Sequence, residues 1–190
     1  MALEQLSPPE SVQTALLESL KESGGPDEKS IRYAHPLYYI PAESLLTDAP
    51  VLFKVAGWQF LARDVNGKAF AGEVSNTRAL DYETAIVQGS AVEEAFKASE
   101  EVKGLPPAQS NVSYQLRTLR IPALRIEAFW LKAGPFDDGV GDADIVYPYL
   151  TFQEKLKKAV LGMSDFLEIA RGLAEIEARA DSAPLRKSGR

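Results

Sequence analysis

A run built like β-sheet, residues 112–132, changes its inside–outside phase twice, and this limits what the chain can fold into. Val112, Tyr114 and Leu116 alternate with Ser113, Gln115 and Arg117, the period-two pattern of a half-buried strand. The apolar phase then moves to Leu119 and Ile121 and returns to Leu124, Ile126, Ala128 and Trp130, with Pro122 at the crossover. A slip of one residue turns every later side chain to the opposite face, so a bulge or bend is needed there. Length demands the same. Fully extended, this run would span roughly 65–70 Å, whereas a domain of 190 residues has a radius of gyration of about 16 Å. The run is therefore expected to curl, or to break into two strands near Pro122.

Other segments supply the rest of a sheet and its helices. Leu37–Ile40 is a short strand, and Val51–Ala62 is apolar on both faces, as a central strand must be. Asn66-Gly67 signals a two-residue type I′ hairpin, with a return strand over Lys68–Val74 and Leu61 opposite Gly72. Ile145–Leu150 makes a last short strand after the loop from Gly134 to Asp142. Three helices are expected. Ser7-Pro8-Pro9-Glu10 reads as a capping box opening the first, with a stripe of Val12, Leu16 and Leu20 and a stop at Gly24-Gly25-Pro26. Asp81 caps a second through Tyr82, Ile86, Val92 and Phe96, ending at Gly104 before Pro106-Pro107. Thr151 and Glu154 cap a third, from residue 152 to about 179, carrying Leu156, Val160, Met163 and Leu167.

The predicted order is α-βββ-α-ββ-α, an α+β fold: a curled antiparallel sheet of about five strands with helices on one face. Residues 1–30 form an amphipathic helix and a Gly-Gly-Pro linker, 31–180 a single domain, and 181–190 a polar, disordered tail. This order resembles that of small acidic secretion chaperones, at the level of element order alone.

Chemistry is scarce. With no cysteine, disulfides and thiolate metal sites are excluded, which fits a cytoplasmic setting. No apolar run approaches the 18 or so residues of a membrane span, and the N-terminal residues do not read as a signal peptide. The net charge of −6 opposes nucleic-acid binding, which needs a concentrated basic surface. No nucleophile elbow, P-loop, Rossmann glycine pattern or zinc-protease motif is present, and His35 is the only histidine. Set before Pro36, His35 is expected to be a surface or packing residue at a strand start. Asp137, Asp138, Asp142 and Asp144 crowd one glycine-bearing loop, but their spacing fails the EF-hand template, so a solvated loop is expected and calcium is the alternative. No cofactor is implied.

Two groups of residues remain as candidate sites. Arg117, Arg120 and Arg125 straddle the bend, either pairing across strands with acids such as Glu127 and Glu73 or forming an anion or carboxylate site. Phe129, Trp130, Tyr147 and Tyr149 lie on or near the last strands. Neighbours Phe129 and Trp130 point to opposite faces, so either both faces are covered or one aromatic is an exposed anchor. The expected function is a non-catalytic protein-binding module, adaptor- or chaperone-like, whose partner is another protein or a second copy of the chain. The alternative is a small-molecule or enzymatic pocket between the curled sheet and the last helix, lined by Trp58, Phe60, Tyr114, Trp130 and Met163.

Overall fold

The computed structural model describes residues 2–4, 6–24, 26–78, 81–105, 112–134 and 139–182. The long run breaks as its phase slips demand. A strand over Ser113–Ile121 and another over Ile126–Ala133 pair antiparallel, joined by a 3-10 turn at Pro122–Leu124 and by Arg125 in the left-handed region at φ 51°. Numbered along the chain, the strands are β1 (Ala2–Glu4), β2 (Ile31–Tyr39), β3 (Lys54–Arg63), β4 (Ala69–Arg78), β5 (Asp81–Gln88), β6 (Ser113–Ile121), β7 (Ile126–Ala133), β8 (Ile145–Leu150) and β9 (Leu161–Gly162). The helices are α1 (Glu10–Ser23), α2 (Ala42–Leu45), α3 (Ser90–Glu101) and α4 (Met163–Ser182).

The fold is α+β, but its sheet is larger than expected and mixed. It runs β5-β4-β3-β2-β6-β7-β8-β9, with β1 also on β6. Both β1 and β2 run parallel to β6, on the edge that β7 leaves free: β1 against Ser113–Gln115 and β2 against Thr118–Arg120. The first half of β2 therefore splays away from β6, and the sheet opens into a wedge.

Helices cover both faces, where one was expected. Phe129 and Leu131 join Phe96 and Val92 of α3 in one core, while their neighbours Trp130 and Ala128 join Phe166 and Ala170 of α4 in another. On the α4 side, α1 seats Val12, Leu16 and Leu20 against Phe60 and Val74. Gly72 permits this close approach, because a Cβ there would lie 2.5 Å from Leu16 Cδ1. The sheet curls around α3, which meets both β4 and β8.

Four local expectations change. The first helix starts at Glu10, with Pro9 and not Ser7 as its N-cap and no side-chain cap. Asp81–Gln88 is a strand. Tyr82 and Ile86 are four apart, a spacing that fits one helix face and one strand face equally, and Thr84, Ile86 and Val87 favour the pleated form. Gly89, at φ 124°, then turns the chain into α3. The last helix starts at Met163, not at residue 152. Thr151 Oγ1 accepts from the Gln153 N–H, Leu156 plugs the core from a turn, and Leu161–Gly162 pairs with β8. The Asn66-Gly67 hairpin forms, but only Gly67 has positive φ (80°), so the loop is Val65-Asn66-Gly67 with Gly67 N donating to Asp64 O. The extra loop residue moves the register by one, setting Leu61 opposite Ala71 and Phe60 opposite Gly72.

Candidate functional site

The concave face carries α3 at one side and a polar ladder at the other. Side chains on this face include Gln59 of β3, Glu73 of β4, Thr118 and Arg120 of β6, Glu127 of β7 and Tyr149 of β8. Thr118 Oγ1 donates to Gln59 Oε1 (3.0 Å), and Gln59 Nε2 donates to Glu73 (3.4 Å). Arg120 forks onto Glu73, with one bond at 2.8 Å, and reaches Glu127 at 3.4 Å; Tyr149 donates to Glu127 at 3.0 Å. Burial alone would push the Glu73 carboxyl up, but Arg120 and Gln59 hold it below its usual range. Burial also drives the Tyr149 phenol well up, so it stays a donor. Two carboxylates thus claim the Arg120 fork, and it is spent on cross-strand pairing.

The wedge between β1 and β2 forms a cleft of about 860 Å³, within the size range of small-ligand sites. Leu3, Tyr33, His35, Arg63, Phe96 and Lys103 are among its walls. The His35 ring stacks on Tyr33 (5.9 Å, 19°) and meets the edge of Phe129 (5.4 Å). It is 4% exposed, and its Nδ1 has no hydrogen-bond partner. Burial first, then the charge of Lys103, lowers its pKa from 6.5 to about 3, so the imidazole is neutral near pH 7. Lys103 donates to Tyr33 Oη (2.6 Å) and to Glu100 (3.2 Å), while Arg63 pairs with Glu93 (3.1 Å) and lies over Phe96.

At the far end of the sheet, β5 pairs only with β4 among the described residues, leaving an eight-residue edge without a neighbour. Tyr82 and Ile86 face α1, and the Tyr82 and Ser11 hydroxyls are hydrogen-bonded at 2.8 Å. A groove of about 460 Å³ runs there, between Glu10, Thr14 and Glu18 of α1 and Tyr82. The opposite end differs, since β9 and the start of α4 cover the outer edge of β8.

The residues singled out from the sequence are dispersed. Arg117 lies on the α4 face, with Nε donating to Gln115 (2.8 Å) and its guanidinium over Trp130 and Tyr38. Arg120 sits in the ladder. Arg125, on the β6–β7 turn, lies over the exposed ring of Phe152 and shares with Arg120, Ile126, Glu127 and Leu150 a pocket of about 450 Å³. Phe129, Trp130, Tyr147 and Tyr149 are all buried, because both faces of their strands are covered. Tyr147 donates to Glu101 at 2.6 Å. Of the pocket residues, Trp58 and Phe60 lie together under α1, Tyr114 lies under α3, and Trp130 and Met163 share the cluster under α4.

Asp137 and Asp138 fall outside the described residues, as do Pro106, Pro107 and residues 183–190. Asp142 is exposed, whereas Asp144 is buried and accepts from Trp130 Nε1 (3.0 Å), Ala133 N (2.9 Å) and Gly141 N (3.0 Å), with Lys132 Nζ at 3.6 Å. Among the described residues no group of three or more His, Asp or Glu is placed to hold a metal ion, and no helix is long and apolar enough to cross a membrane.

Comparison with known proteins finds no matching family model, no matching curated protein and no matching solved structure. The β5 edge and the cleft were both missed in the sequence. The first was hidden by the helical reading of residues 81–88. The second forms only when Leu3 and its neighbours seat on β6.

Proposed function

We propose that this chain is a non-catalytic protein-binding module that takes an extended segment of another protein as an added strand on β5. The eight-residue edge, bare among the described residues, carries the reading. An edge of that length is a template for a further strand, and sheets that avoid pairing blunt it with Lys, Pro, a bulge or a covering element. Residues 82–88 include no Lys and no Pro, carry the exposed Val87, and pair with β4 without a register shift, the one irregularity of this pairing lying between Asp81 and Tyr82. Main-chain hydrogen bonds would supply the affinity, and the groove beside α1 would read alternate side chains. The lone imidazole, neutral and sunk in aromatic packing, is poorly placed to act as a base near pH 7.

The test is amide hydrogen exchange, by NMR, on the labelled full chain alone and with linear peptides selected against it from a display library. Adjacent residues of an antiparallel strand point their N–H groups to opposite sides. Alternate amides within residues 82–88 should therefore slow in the complex. If no linear peptide binds, or the bound peptide leaves these amides unchanged, the reading fails.

A second reading, a small-molecule site in the β1–β2 cleft, is favoured by the unpartnered Nδ1 of His35. Shifts confined to Tyr33, His35 and Phe96 on screening a fragment set would select it.

A further inference from the structure

Resting on strand addition at β5, we infer that the occupant is a basic segment of another protein, with Lys or Arg at every second position on its α1-facing side. The groove flanking the edge is lined by Glu10, Ser11, Thr14, Ala15, Glu18 and Tyr82, with no cation among them. Glu10 and Glu18 are exposed, and neither forms an ion pair among the described residues. The α1 side chains at Glu10, Glu18 and Glu22 are acidic against a single base, Lys21. Side chains of a strand added beside β5 would alternate between faces, as on β5 itself, where Tyr82 and Ile86 face α1 and Glu83, Ala85 and Val87 lie on the opposite face. Every second one rises toward α1, and a lysine stem is long enough to lie along the apolar groove wall with its ammonium at the acids.

The same charges oppose a second copy. Two β5 edges paired antiparallel about a two-fold axis normal to the sheet would place both α1 helices on one face. Glu10 and Glu18 of each copy would then approach those of the other, and like charges across an interface weaken it.

Peptides of nine residues alternating Lys and Thr, and counterparts with Gln or Glu in place of Lys, are titrated into the full chain by fluorescence anisotropy. Amide exchange of residues 82–88 is followed in parallel. At 50 mM salt the Lys peptide should bind about tenfold more tightly than the Gln peptide, a few exposed ion pairs each contributing a few-fold. The Glu peptide should bind most weakly. The advantage should shrink to about threefold or less at 500 mM salt, and likewise in the Glu10→Gln/Glu18→Gln variant, whose substitutions are exposed and should leave the fold intact. Equal binding of Lys and Gln peptides, with β5 amides protected by both, overturns the charge inference and leaves strand addition standing. Binding of the Lys peptide without slowed β5 amides, or no binding by any peptide, overturns strand addition itself. A dimer in native mass spectrometry with β5 amides already slow would make the occupant a second copy and overturn the inference.

Discussion

Replacing His35 with Phe should remove an acid weakness from the fold. In the native chain the imidazole is held neutral by burial and by Lys103, its pKa lowered from 6.5 to about 3. The charged groups around it are Glu100 from α3, Lys103 from the 3-10 turn Val102–Gly104 that follows it, Arg63 from β3 and Asp64 just after it, Arg32 from β2 and Glu4 from β1, with the Tyr33 phenol stacked beside it. For a base with a depressed folded-state pKa, the unfolded chain binds the proton first. The stabilisation is complete above pH 6.5 and is lost as pH falls toward 3. Between pH 7.5 and 5.0 the unfolded chain takes up almost one proton that the folded chain refuses, a loss of about 2 kcal/mol. For a domain of this size that is a fall in Tm of about 4–8 °C. Glu73, Glu93 and Glu101, whose pKa values are also lowered, add their own acid losses. These are common to both proteins and cancel in the difference. Phe keeps a ring against Tyr33 and Phe129 while removing the titration. Urea unfolding at pH 7.5, 6.0 and 5.0 should therefore show the native chain losing about 2 kcal/mol more than His35→Phe. Equal losses, or an imidazole that titrates near 6.5 by NMR in the folded chain, would refute the buried neutral histidine.

Three further outcomes follow from packing. Gly72→Ala should cost about 1–3 kcal/mol, because its Cβ would press on Leu16 Cδ1; combined with Leu16→Ala, which alone costs about 2–5 kcal/mol, the total should fall short of the sum in urea unfolding. Gly67→Val should lower the Tm, since a β-branched residue at φ 80° is strained by about 1–3 kcal/mol; an unchanged Tm would count against the turn. Asp144→Ala should destabilise by about 3–5 kcal/mol, removing the buried carboxylate that pairs with Lys132 and accepts from three donors, and millimolar calcium should leave the native Tm unchanged; a marked rise abolished in Asp142→Ala/Asp144→Ala would show that the loop binds the ion.

Within the fold, what could be read from the sequence was local. The two phase slips around Pro122 required the β6–β7 break, because side-chain direction in a strand has no freedom beyond alternation. Adjacent Phe129 and Trp130 implied that both faces of β7 needed cover or exposure, and the cores under α3 and α4 are that cover. Arg120 was legible as a partner for Glu73 and Glu127, although its distance in sequence from Glu73 concealed the geometry. Elsewhere the local pattern was ambiguous. Tyr82 and Ile86 satisfy both periods, and the stripe through Leu156 and Val160 imitates a helix whose Thr151 cap exists in the sequence pattern alone.

Tertiary structure decided those cases through hydrogen bonds between distant segments. The outer edge of β8 takes Leu161–Gly162 as a short strand, which prevents residues 152–162 from continuing α4 toward their N-terminal side. The edge of β4 takes Asp81–Gln88, and the edge of β6 takes both β1 and the second half of β2 in parallel. Strand pairing contributes only when a particular edge is within reach, and no sequence window contains that edge. The composition and alternation of this chain thus determined that it would form strands, bend at Pro122 and bury a largely apolar core. Which edges paired, and so where the wedge opened and which strand was left bare, was settled only when segments far apart in the chain came together.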